Sequence, residues 1–90
     1  MSADKKPRRA AGIASRKIGE ETVLVSPKTG KVFVLNQTGS LIWGMCDGER
    51  SVDELATHLA AEFGVLREQA GTDVLELIEE LAKRNLVEMV

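Results

Sequence analysis

VFVLNQTGSLIWGMCDGER, residues Val32 to Arg50, is the stretch on which the fold turns. Four apolar side chains in succession, Val32, Phe33, Val34 and Leu35, read as a strand, and Asn36 then stands where a side-chain oxygen can cap the free amides of a helix over Gln37 to Cys46. Leu41, Ile42 and Met45 give that helix an apolar side, with Trp43 at its core or shoulder. A wet-faced strand of a small antiparallel sheet alternates polar with apolar residues. Val32 to Leu35 does not, so both faces of this strand want cover.

Upstream, Ile13 to Ile18 is a first strand of weak pattern and Glu21 to Ser26 a better one, with Val23 and Val25 facing one way and Leu24 the other. Ser26-Pro27-Lys28-Thr29-Gly30 supplies a proline that presets φ and a glycine free to take positive φ, the chemistry of a hairpin loop leading into an arm over Lys31 to Leu35. Downstream, Asp47-Gly48 breaks the first helix, and Ser51-Val52-Asp53-Glu54 is a capping box. Val52, Leu55, Ala56, Leu59, Ala60 and Phe63 follow at helical spacing until Gly64. A third helix is predicted over Glu68 to Arg84. At about 100° per residue, its Val74, Leu75, Leu77, Ile78, Leu81 and Ala82 span an arc of roughly 160°, wider than one neighbour needs. Asp73, Glu76, Glu79, Glu80, Lys83 and Arg84 take the other, mostly acidic side, and Asn85 to Val90 reads as a cap and a short extended end. The order predicts an α+β chain, a three-stranded antiparallel sheet followed by three helices, with the outline of a winged helix-turn-helix.

Ninety residues, 43% hydrophobic and 29% charged, make one ordinary globular domain. MSADKKPRRAAGIAS lacks the apolar run of a signal peptide, and no run reaches bilayer length, so the expected compartment is the cytoplasm, with no membrane partner. Lys5, Lys6, Arg8 and Arg9, around Pro7, read as a solvated basic tail over residues 1–12 that precedes a domain over residues 13–90. The single Cys46 and single His58 cannot build a disulfide or a zinc cage, and no cofactor is expected. As a nucleophile and base they lack an orienting third residue. Cys46 reads as a buried inert thiol and His58 as an exposed side chain, while Asp53 and Glu54 belong to a helix start. Catalysis is therefore not expected. A helix-turn-helix regulator binding nucleic acid is the alternative, but the net charge is −2 and the third helix offers mainly acid where phosphates would lie.

Peptide binding fits the opening strand better. An apolar strand at a sheet edge has side chains to cover and unpaired amides and carbonyls to satisfy, and a guest strand supplies both. A central strand covered by the chain itself, or by a second copy in a homodimer, fits the same pattern.

The segments LNQTGSLIWGMCDGERSVDEL and DVLELIEEL, followed by Asn85-Leu86-Val87, resemble the PqqD-like family over about Ile18 to Val87. That resemblance implies a RiPP recognition element, a winged helix-turn-helix-like domain that binds the leader of a ribosomally made precursor peptide and presents it to a modifying enzyme, often a radical S-adenosylmethionine protein. Carried over by position, the peptide site comprises Lys31, Val32, Phe33, Val34 and Leu35 on one wall and Asp73, Glu76, Leu77 and Glu80 on the other. Members acting on the pyrroloquinoline quinone precursor usually carry a Tyr-Pro-Glu-Gly-like stretch where this chain has Val25-Ser26-Pro27-Lys28-Thr29-Gly30, and the chain has no tyrosine. The difference points toward another precursor peptide.

Overall fold

The computed structural model describes residues 5–90. A short strand, β1 (Pro7–Arg9), precedes three strands in succession, β2 (Ala14–Ile18), β3 (Glu21–Val25) and β4 (Val32–Leu35). Three helices follow, α1 (Gln37–Gly44), α2 (Val52–Phe63) and α3 (Arg67–Lys83), and a last strand, β5 (Val87–Met89), closes the chain. β2, β3 and β4 form an antiparallel sheet in that order, so the predicted sheet-then-helices architecture holds.

Local chemistry sets the joints. The hairpin between β3 and β4 closes where the Ser26 amide donates to the Lys31 carbonyl at 3.0 Å, with Gly30 at φ +69°. The Asn36 side chain accepts from the Gly39 amide at 2.8 Å and starts α1. At the start of α2 both halves of the capping box are made: the Glu54 amide donates to the Ser51 hydroxyl, and the Ser51 amide to the Glu54 carboxylate. Gly64 ends α2 in the left-handed region.

The Ser51 amide, aided by its hydroxyl, holds the Glu54 carboxyl below its ordinary value of 4.5. Because the folded-state pKa is the lower one, the stabilisation is present above the ordinary glutamate range and lost as pH falls through the folded value. Ser51→Ala is expected to cost about 1 kcal/mol in urea unfolding at neutral pH. Glu54→Gln should flatten the acid limb of the stability profile.

The core lies between the inner face of the sheet and the helices. Leu24 and Leu35 come from the sheet, Ile42 and Trp43 from α1, Leu55 and Leu59 from α2, and Val74, Ile78 and Leu81 from α3. α3 packs on α2 along one flank and on β5 along another, which uses the broad apolar arc read from its sequence.

The expected basic tail is corrected over residues 7–9. β1 pairs antiparallel with β5, Pro7 opposite Met89 and Arg9 opposite Val87, and Lys6 and Val90 exchange backbone bonds at 3.0 and 2.9 Å. On its other side the Arg9 amide donates to the Cys46 carbonyl and the Gly48 amide to the Pro7 carbonyl, each at 2.9 Å. Arg8 pairs with Glu88 at 2.8 Å, and the Arg9 guanidinium donates to the Trp43 and Gly44 carbonyls at the end of α1. Backbone bonding makes this strand, and both of its arginine side chains find partners on the protein surface. Residues 1–4 of the expected tail lie outside the described residues.

Candidate functional site

β4 pairs with β3 and with no other strand among the described residues. The direction of its backbone groups follows from the hairpin. Ser26 and Lys31 are directly opposed and bonded, and couples that exchange bonds alternate with couples that do not along an antiparallel ladder. Leu24–Phe33 and Thr22–Leu35 are therefore bonded couples. Val25–Val32 and Val23–Val34 are not, so Val32 and Val34 turn both N–H and C=O outward from the sheet.

The side chains divide in the same rhythm. Val32 and Val34 are 58% and 55% exposed on the outer face, beside Val25 and Val23 across the ladder. Phe33 is half-buried on the inner face and Leu35 is 2% exposed. This answers the strand's lack of polar alternation: one face serves the core, and the other is apolar without cover from the described residues.

α3 runs opposite β4 across an open furrow, with a cavity at each end. One, of about 400 Å³, joins Lys31 to Glu80, Lys83 and Arg84. The other, of about 470 Å³, joins Asn36, Thr38 and Ile42 to Asp73, Glu76 and Leu77. The helix thus runs antiparallel to the strand, its C-terminal end beside Lys31 and its middle beside Asn36. Arg84, which lines the first cavity, sets its guanidinium 4.8 Å from the centre of the Phe33 ring, within cation–π range. Its Nε also donates to Glu80 at 2.8 Å.

Five of the nine residues read from the sequence line the two cavities, three more lie on β4 beside them, and one does not belong with either group. Lys31 and Glu80 line one cavity and Asp73, Glu76 and Leu77 the other, Phe33 touches Arg84, and Val32 and Val34 turn their backbone groups outward along the edge. Leu35 is the exception. Its side chain is in the core and its backbone faces β3, because it stands in a bonded couple. Arg84, Lys83, Asn36 and Thr38 were missed. The Glu80–Arg84 spacing of four residues was the available sign that Arg84 stays on the furrow side of α3.

β2 has the sheet's other free edge, but Arg16 and Lys17 charge it, a common device against strand addition, and the cavity that joins Lys17 to Gln37, Ser40 and Leu41 of α1 and to Glu62 and Phe63 of α2 is smaller, about 220 Å³. Elsewhere, burial pushes the Cys46 thiol up to about 12 despite the nearby Arg9, and its Sγ donates to the Ile42 carbonyl at 3.2 Å. It stays protonated at neutral pH. His58 is exposed on α2. No group of three or more His, Cys, Asp or Glu residues among those described is arranged to hold a metal ion.

The family model described as coenzyme PQQ synthesis protein D (PqqD) matches residues 21–87. The PqqA binding protein of Gluconobacter oxydans (strain 621H) is 40% identical over 57 residues, which are 63% of this chain and 59% of that protein. The chain spans less than two thirds of the length of the curated relatives it first matches. Among solved structures, TbiB1 in complex with the TbiA(beta) leader peptide superposes with a TM-score of 0.81 at 28% identity, over 90% of this chain and 94% of that one. The PqqD truncation of Methylobacterium extorquens PqqCD, described as a stand-alone RiPP recognition element, gives 0.81 at 22% identity, over 98% and 94%, a likeness of fold.

Proposed function

Because this chain belongs to the PqqD family, we propose that it is a non-catalytic peptide chaperone, which binds the leader of a ribosomally made precursor by strand addition to β4 and presents it to a modifying enzyme. The observation that carries this reading is the outward-turned backbone of Val32 and Val34 facing a furrow along α3. A guest strand completes four main-chain hydrogen bonds there, each worth about 0.5–1.5 kcal/mol net, and its alternate side chains enter the furrow. TbiB1, a relative by structure, is known with a leader peptide bound, and the Gluconobacter relative is named for binding PqqA.

The chaperone works by concentration: a leader held on β4 keeps the rest of the precursor near the enzyme's site. We assign that enzyme to the radical S-adenosylmethionine class, in the cytoplasm, on the family's pattern. No helix of the described residues is long and apolar enough to cross a membrane. The Val25–Gly30 loop, without the tyrosine of quinone-precursor binders, favours a precursor other than PqqA. In the absence of guest, the same edge can pair with a second copy's β4.

The nucleic-acid alternative finds little support. α3 exposes Glu68, Glu76 and Glu79 to solvent, and of the basic residues near the N-terminus Arg8 is engaged with Glu88 and Arg9 with α1 carbonyls. Titration calorimetry against a panel of leader peptides from ribosomally made precursors, PqqA among them, and against duplex DNA tests the function. One-to-one binding of a leader supports it; heat only from duplex DNA, with none from any peptide, overturns it.

A further inference from the structure

We infer, taking strand addition to β4 as proposed above, that the guest is chosen by the order of its charges: a lysine or arginine first and an aspartate or glutamate four residues later. The two ends of the furrow carry opposite charge. Three cations, Lys31, Lys83 and Arg84, line one end against one carboxylate, Glu80, which Arg84 already engages at 2.8 Å. Beside Asn36 stand two carboxylates, Asp73 and Glu76, and no cation lines that cavity.

The register on β4 gives the spacing. Guest residues opposite Val34 and Val32 pair through the outward backbone groups and lay their side chains on the outer face, against the valines. Their neighbours alternate to the inner side, opposite Leu35, Phe33 and Lys31. The first inner position meets the acidic end, the second the Phe33 ring, and the third, four residues after the first, the basic end. On the helix, Glu76 and Lys83 are about 10.5 Å apart along the axis and Asp73 and Arg84 about 16.5 Å. Four residues of strand cover about 13.5 Å, between these limits, whereas two cover about 7 Å and six about 20 Å.

Direction follows from the sheet. Both strand pairs of the sheet are antiparallel, antiparallel pairing is slightly the more stable, and unmixed sheets are favoured. β4 runs from the basic end to the acidic end, so an antiparallel guest enters at the acidic end. Its cation comes first.

The test uses two fluorescein-labelled nonapeptides of one composition, Ser-Gly-Lys-Val-Leu-Val-Glu-Gly-Ser and the same peptide with lysine and glutamate exchanged, titrated with the full chain by fluorescence polarisation. The lysine-first peptide is expected to bind roughly ten-fold or more tightly at low salt, because the exchanged one meets like charge at both ends. In about 1 M salt, where screening falls to about 3 Å, the preference should shrink toward none. The double variant Glu76→Lys, Lys83→Glu changes two exposed positions and should reverse the preference. Equal affinities, or tighter binding of the exchanged peptide by the unaltered chain, overturn the charge-order inference. If Val34→Pro abolishes that charge-blind binding, strand addition survives; if neither peptide binds, both ideas fall.

Discussion

A Val34→Pro chain is expected to fold and to bind leader peptide at least ten-fold more weakly. The expectation depends on which way one N–H points. Val34 stands in a couple that exchanges no bond with β3, so proline there removes no ladder hydrogen bond, and an edge strand tolerates proline where its N–H faces solvent. What disappears is one of the four guest bonds, and the ring stands where the guest backbone must approach. Phe33→Pro is the opposing control. That N–H faces β3, in the bonded couple with Leu24, so its loss should damage the sheet itself. Circular dichroism and urea unfolding report folding, and calorimetry reports binding; equal binding losses at equal stability for the two variants would contradict the assigned backbone directions.

The second large effect concerns stability. Ile78→Ala should lower unfolding free energy by about 2–5 kcal/mol in urea titration, since the side chain is fully buried in the common core. A domain of this length commands in total only about 5–13 kcal/mol, so the loss is a large part of it. Glu76→Ala, two residues earlier and exposed, should stay within about 0.5 kcal/mol. α3 thus separates its duties by face: Ala70, Val74, Ile78 and Leu81 hold the domain together, while Asp73, Glu76, Leu77 and Glu80 line the furrow.

Most of this division is readable in the residues because it is local. Asn36, the Ser51–Glu54 box and Gly64 act within four residues of themselves, so the start of α1 and both ends of α2 come through in sequence, while α1 stops at Gly44, two residues short of the expected Cys46. The hairpin loop is similarly self-contained. β1 is not, because its partners are some eighty residues away and a three-residue strand is too short to show alternation; Pro7-Arg8-Arg9 looks like any solvated basic run. The apolar run of β4 signals that cover is wanted on both faces, yet leaves open whether the cover is the chain's own. That depends on strand order, a long-range property. Leu35 was misplaced for a smaller reason of the same kind, since a residue's position in the bonded or unbonded couple follows only from the closure at Ser26 and Lys31. Arg84 reads as wet by charge, and the approach of Phe33 from another element is what turns it into part of the furrow.

Backbone amide exchange followed by NMR, with and without a leader peptide, addresses the open margin of β4 most directly. In the free chain the Val32 and Val34 amides should exchange quickly while that of Phe33 is protected, and adding peptide should slow the two valines selectively. Valine amides already protected in the free monomer, or unchanged in a saturated complex, would contradict strand addition at this edge.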